Sequence, residues 1–418
     1  MLIRIFHLIV PLFISGGTIL FAQTIVPSWE IYNESNSPLP NNTVRCLTID
    51  NNNELWIGTD NGLAHLSNDS WEIFNTANSS IGDNYIRALA VDSNNAIWIG
   101  TTLNGMLKYN GVTFQSFNDA NSDIPDNFIK TISVDKLGHK WLGTVEGLTR
   151  FDDISWVTWT TLNSSISTNN ISSIGVGLNN EKYIGTINGG LIYMDNASNI
   201  IANYYILNSG VPDNSALKVE MDNLGKPWYA GSAGGLFSDP GNQLWISYNT
   251  DNSAILTNSL TTMKLDMDNN IYMGTQLLGL MIKRNDATWT FYSTSNSNLP
   301  EDYILSITKD NGDNVWIGTY SKGLVRLQEG FLGINEVDQL TTLQVYPNPA
   351  QSPNTIHLNQ NTDQAHVTIF SIDSKIVYDE FKFESFNSIH LPSLKPGYYF
   401  LNIQRKGKSY RLELMISE

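Results

Sequence analysis

The sequence predicts an all-β chain: a seven-bladed β-propeller closed by an N-terminal strand, plus a small C-terminal β-sandwich. Three observations carry this reading. An aromatic-x-Gly-Thr tetrad recurs every 42 to 46 residues. The N-terminal strand and the last unit are complementary fragments of one repeat, and the repeat grammar stops near residue 333, where a different alternation of apolar and polar residues begins.

The chain opens with Arg4 in a short basic stretch, an apolar run from Ile5 to Phe21 and small Ala22, the anatomy of a cleavable export signal over residues 1–22. Pro11 and the pair Gly16 and Gly17 interrupt the run, which falls short of the ~20 apolar residues a spanning helix needs. No later segment is long and apolar enough to cross a membrane, so no span is predicted in the mature chain. The formal net charge is −16, with 40 acidic against 24 basic residues. A nucleic-acid surface needs clustered Lys and Arg, so that partner class is excluded. Cys46 is the only cysteine, leaving no internal disulfide framework.

The repeat spans residues 24–332. Its tetrads are Trp56-Ile57-Gly58-Thr59, Trp98-Ile99-Gly100-Thr101, Trp141-Leu142-Gly143-Thr144, Tyr183-Ile184-Gly185-Thr186, Tyr229-Ala230-Gly231-Ser232, Tyr272-Met273-Gly274-Thr275 and Trp316-Ile317-Gly318-Thr319. Seven units of this length match four-stranded propeller blades. Within each unit an alternating strand precedes a polar turn and the tetrad. A Gly-Leu or Gly-Met pair follows, as at Gly62-Leu63 and Gly105-Met106, and then a strand with spaced aromatics such as Trp71 and Phe74. The seventh unit lacks that aromatic strand, and Trp29-Glu30-Ile31-Tyr32 supplies it from the other end of the chain. A ring closed in this way leaves no open sheet edge between the chain ends. The innermost strands carry small residues, as at Cys46 and Thr48, Ala88 and Ala90, Thr131 and Ser133, Ser173 and Gly175, where blades crowd at the axis. The glycines of the Gly-Leu pairs are expected at positive φ or at a close approach.

Ile49 to Leu63 and Val91 to Met106 follow the order Ile/Val-Asp, turn, Trp-Ile-Gly-Thr, Gly-Leu/Met, and the chain is thereby similar to two-component regulator propeller repeat proteins. That resemblance implies an extracellular recognition role, since such propellers form the sensing part of hybrid histidine kinases that recognise polysaccharide fragments. No kinase follows in this sequence, so signalling by phosphorelay is not carried over.

Residues 333–343 read as a linker and 344–418 as a second domain. Tyr346-Pro347-Asn348-Pro349 begins it with an extended turn lacking backbone donors at its prolines. Alternating segments follow at Val367–Phe370, Ile376–Tyr378, Ile389–Leu391, Tyr398–Ile403 and Tyr410–Leu414, the pattern of a small β-sandwich. Tyr-Pro-Asn-Pro, then Leu394-Lys395-Pro396-Gly397-Tyr398-Tyr399 and a basic hairpin through Arg405, Lys406 and Lys408, resemble the type A sorting domain of type IX secretion. The resemblance implies passage across the outer membrane by the type IX machinery, with the tail removed or exchanged for an anchor.

No catalytic motif is present: HExxH, GxSxG and Cys/His metal spacings are all missing from the sequence. Acidic turns at Asp50–Glu54, Asp266–Asp268 and Asp310–Asp313 suit calcium in composition alone and lack its spaced ligand set, so no cofactor is predicted. The candidate site lies at the entrance of the innermost strands, where the first three blades place Arg45, Arg87 and Lys130, and the others Ser172, Leu217, Thr261 and Leu305. Tyr85, Phe128 and Tyr303 stand just before that position. The expectation is a basic, aromatic arc on one mouth that binds an extracellular glycan or protein; pairing of these cations with acids of neighbouring blades is the structural alternative. A polysaccharide lyase or hydrolase on the same scaffold, and a purely structural surface protein, are the competing functions.

Overall fold

The computed structural model describes residues 27–239, 244–329, 345–351, 355–362, 365–371, 376–382, 386–405 and 408–417. The export signal expected over 1–22 and the linker expected over 333–343 lie outside them. The chain divides into two compact units, 1–331 and 332–418.

The first unit is the propeller. Seven four-stranded antiparallel sheets follow one another; in the first blade the strands are Val44–Ile49, Leu55–Thr59, Gly62–Ser67 and Ser70–Phe74. The seventh takes Ser28–Tyr32 as its fourth strand, with Trp29 opposite Leu327 and Ile31 opposite Val325. First strands of neighbouring blades touch all the way round, Ile304–Lys309 meeting Val44–Ile49 to complete the ring. The core lies between blades: Trp98 and Ala88 of the second pack with Ile129, Leu142 and Phe151 of the third, and Trp316 of the seventh packs with Leu39, Val44 and Ile57 of the first.

The tetrad chemistry is explained by these contacts. Trp98 Nε1 donates to Asp92 in the preceding turn at 2.9 Å, Trp141 to Asp135 at 3.0 Å and Trp316 to Asp310 at 2.8 Å, so each buried indole N–H is satisfied. The tetrad glycine sits where the next blade arrives: a Cβ on Gly100 would stand 2.8 Å from Ile129. The glycine of every Gly-Leu or Gly-Met pair has positive φ, as at Gly105 (72°), where a Cβ would lie 2.2 Å from the Phe117 carbonyl oxygen.

The fifth blade corrects the expected register. Gly231 pairs with Ala216 as Thr59 pairs with Val44, and Ala230 pairs with Lys218 as Gly58 pairs with Cys46. Trp228, bonded to Asp222 at 3.3 Å, is therefore the counterpart of Trp56, and Ala230 replaces the tetrad glycine. The consecutive Trp228-Tyr229 and the following Gly231 disguised this in the sequence. The small-residue lining also ends there: Lys218, Glu220 and Lys264 occupy innermost-strand positions that are small in the other blades.

The second unit pairs a three-stranded sheet (Val345–Tyr346, Thr355–Thr362, Phe386–His390) with a five-stranded one (Ala350–Gln351, Lys408–Ser417, Gly397–Arg405, Ala365–Ser371, Ile376–Lys382). Ile356, Leu358, Val367, Ile369, Ile389, Leu401, Ile403 and Leu414 form its buried core.

Candidate functional site

The innermost strand of most blades begins with a β-bulge. The register shifts between Val44 and Cys46 and between Ile86 and Ala88, so Arg45 and Arg87 are the extra residues. A bulge re-aims a side chain out of the ladder, and the same position in the third blade holds Lys130. The residue after the tetrad joins it at this mouth, because Tyr85 accepts the backbone N–H of Thr102 at 3.1 Å and Tyr303 that of Tyr320 at 3.1 Å.

Arg45 is committed to its own blade. Its Nε and Nη2 reach the two carboxylate oxygens of Asp60 at 2.8 and 2.6 Å, and this bond holds the guanidinium above its ordinary pKa. The expected alternative, an acid from a neighbouring blade, is thus replaced by an acid of the same blade, in the turn directly after its second strand. Arg45 also lies 5.9 Å from the Tyr320 ring, which stacks on Tyr303 with centroids 5.0 Å apart. Arg87 donates from Nε to Thr102 Oγ1 at 3.0 Å and rides 5.7 Å above Phe128. Burial lowers its pKa, and the charge of Arg45 lowers it further. Lys130 donates to Asn170 Oδ1 at 2.6 Å, and burial lowers its pKa too.

The mouth is therefore lopsided. The seventh, first, second and third blades contribute Tyr303, Tyr320, Arg45, Tyr85, Arg87, Phe128 and Lys130, whereas the fifth and sixth contribute Ser215, Ser232, Ser259 and Thr261. Asp60, Thr102, Asn170 and Tyr320 were missed by sequence reasoning. Comparing the residue after each tetrad (Asp60, Thr102, Val145, Ile187, Ser232, Gln276, Tyr320) carries the signal for all of these but Asn170, which precedes the innermost strand of the fourth blade. A second polar group lies deeper on the innermost strands, where Glu220 stands 3.4 Å from Lys218 and 3.2 Å from Lys264. Burial raises the Glu220 pKa, but the two ammonium groups outweigh it and hold the carboxyl below its usual value.

Asp50, Glu54 and His65 present atoms within 4.8 Å of one another, yet each has structural work. Asp50 accepts the Trp56 indole N–H, and His65 stacks on Trp56 with centroids 4.1 Å apart while bonding Glu54 at 2.9 Å. Among the described residues no helix is long and apolar enough to cross a membrane.

In the second unit Pro347-Asn348-Pro349 carries the chain from the three-stranded to the five-stranded sheet, since Tyr346 pairs with His357 and Ala350 with Ile416. Asn348 Oδ1 accepts the Met415 N–H at 2.8 Å. Gly397 opens the long strand at φ 155°, and Tyr398 beside it is exposed, as is Tyr346.

The family comparisons agree with this architecture. Residues 38–61, 80–102 and 298–321 match the two component regulator propeller family, and residues 344–417 match the secretion system C-terminal sorting domain. The chain carries two-component regulator propeller repeats and a secretion system C-terminal sorting domain. That tail marks the protein for export to the cell surface or for secretion. No curated protein matches the sequence. Among solved structures the chain is similar to the extracellular domain of a putative hybrid two component system from B. thetaiotaomicron, at 19% identity and TM-score 0.62, over 93% of this chain and 57% of that one. It is also similar to PorZ, an essential surface component of the type-IX secretion system of Porphyromonas gingivalis (15%, TM-score 0.59, 93% and 60%). A third similar structure is virginiamycin B lyase from Staphylococcus aureus (12%, TM-score 0.59, 72% and 99%). This chain spans less than two thirds of the first two, and all three likenesses establish the propeller fold alone.

Proposed function

We propose that the exported propeller is a recognition module that binds an extracellular ligand, a glycan fragment or a protein, at the mouth lined by Arg45, Tyr85, Arg87, Phe128, Lys130 and Tyr303. The observation that carries this reading is the lopsided rim: aromatic and cationic side chains gathered on four adjacent blades, with Tyr85 and Tyr320 47% and 46% exposed. Flat amphipathic rings held open to solvent suit a sugar or peptide face.

The test is a glycan array and a peptide array probed with the exported protein and with a Tyr85→Ala/Tyr320→Ala double variant. Binding that the double variant loses at an unchanged melting temperature supports recognition at this mouth. Binding that the double variant keeps places the ligand elsewhere.

A lyase is the second reading, favoured by the exposed phenol of Tyr85 two residues from Arg87, a charge neutraliser with no ion pair among the described residues. Its signature is a rise in ultraviolet absorbance from unsaturated ends when the exported protein is incubated with acidic polysaccharide; recognition alone leaves the polymer intact.

A further inference from the structure

Arg87 and Lys130 are neighbours on the rim that share an unusual condition. In a chain with 40 acidic and 24 basic residues, neither forms an ion pair among the described residues, while Arg45 next to them does. Both are only partly exposed. Desolvation disfavours the charge of each, and at Arg87 the Arg45 charge adds to it. A bound anion would relieve both penalties.

The geometry leaves room for one. The Arg87 guanidinium is held on two sides, by the Thr102 hydroxyl at Nε and by the Phe128 face beneath it. Its Nη1 and Nη2 make no hydrogen bond among the described residues. That pair of nitrogens is the edge on which a planar guanidinium takes an oxyanion in bidentate fashion. Lys130, two residues beyond Phe128, uses one donor on Asn170 and has two more to offer. Tyr85 precedes Arg87 by two residues on the same exposed rim.

We infer that the ligand of this mouth is an acidic carbohydrate, whose carboxylate or sulfate group docks on the Nη1/Nη2 edge of Arg87 with Lys130 as the second positive contact. This deepens the recognition reading and rests on it. Lopsidedness selects the oligosaccharide form: one anion at the second and third blades leaves Tyr85 and, across the first blade, Tyr320 to take neutral sugar faces.

The experiment is calorimetric titration of the exported protein with three probes: an oligogalacturonate, a sulfated galactan oligomer and the same galactan without sulfate. At least one acidic probe is expected to bind at least about tenfold more tightly than the neutral one, as a charged hydrogen-bond pair implies, and to weaken as salt is raised. Which of the two binds tells carboxylate from sulfate. Arg87→Gln is expected to weaken that binding at least about tenfold at an unchanged melting temperature. Lys130→Gln, with a smaller loss, serves as the independent variant should Arg87→Gln melt early. Equal binding of the neutral probe, lost in the Tyr85→Ala/Tyr320→Ala variant, overturns the anion assignment and leaves the mouth standing. Binding untouched by any of these variants overturns both. Failure of both acidic probes to bind, or their replacement by an acidic hexapeptide as the tight ligand, overturns the acidic carbohydrate.

Discussion

The backbone N–H of Asn311, in the seventh blade, donates to the side-chain oxygen of Asn53, in the first, at 2.8 Å. The same bond joins interior neighbours, from Asn51 to Asn95, Lys136 to Asn180 and Asn223 to Asn269, so the closing seam is built like the others. Asn53 sits at φ 65°, in the left-handed region that asparagine tolerates better than most residues. Replacing it separates two contributions. Asn53→Gly keeps the conformation and loses the bond, which is worth about 1 kcal/mol; Asn53→Ala adds about 1–2 kcal/mol of backbone strain. Thermal melting is expected to rank them wild type, Gly, Ala.

Ring closure by the N-terminal strand gives a second prediction. Trp29 meets Tyr292 edge to face at 5.2 Å and packs on the seventh-blade core. Removing residues 27–33 exposes the Leu324–Gln328 strand as an edge. The truncated protein is expected to melt lower and to self-associate in light scattering, whereas Trp29→Ala alone costs about 1–2 kcal/mol because the ring is only partly buried.

Tetrad glycines are predicted to be intolerant for a packing reason. Gly100→Ala places a methyl against Ile129 and Ala88, an overpacking expected to cost about 1–3 kcal/mol. Ala230 occupies the equivalent position in the fifth blade, so Ala230→Gly creates no clash and is expected to cost less. Chemical denaturation of the two variants checks the contrast.

Asp135 contributes to acid sensitivity. Its carboxylate takes the Trp141 indole N–H, the His139 backbone N–H and the Lys182 ammonium. Burial raises its pKa, but these partners outweigh it and hold the group at about 2 against 3.8. A depressed folded-state pKa contributes stability that is fully present above the unfolded value and lost as pH falls through the folded one. Stability of the wild type is therefore expected to decline as pH falls from about 4 to about 2. Asp135→Asn is expected to flatten that decline, and at neutral pH to lose about 3–5 kcal/mol because Lys182, 1% exposed, is left without its carboxylate. Urea titrations at several pH values test both statements.

In the sorting domain, Asn348→Ala removes the acceptor of the Met415 N–H where the chain changes sheets. A loss of about 1–2 kcal/mol is expected, read as increased protease sensitivity of the tail and reduced export of the full chain.

The repeat was legible because each blade meets the same demands. Trp98 and Asp92, Gly100 and Ile129, Gly105 and its tight turn recur as residue types at fixed offsets, and seven copies raise a weak local pattern above accident. The fifth blade was misread by one residue because Ala230 replaces the glycine while Gly231 happens to follow it; only the pairing of Ala230 with Lys218 resolves the choice. The bulged positions of Arg45, Arg87 and Lys130 could be aligned from sequence, since they occupy one place in the repeat. Their partners also occupy fixed places in the repeat, but Asp60 is fifteen residues from Arg45 and Asn170 forty from Lys130, and nothing local says which cation is neutralised.

The amino-acid sequence by itself determined the number of blades, the closing strand and the sorting tail, because these follow from periodicity and from chain ends that complement each other. Tertiary structure decided which rim charges are satisfied and which remain open. Ion pairing depends on distances of a few ångströms across strands and blades, and those distances exist only once the ring has closed.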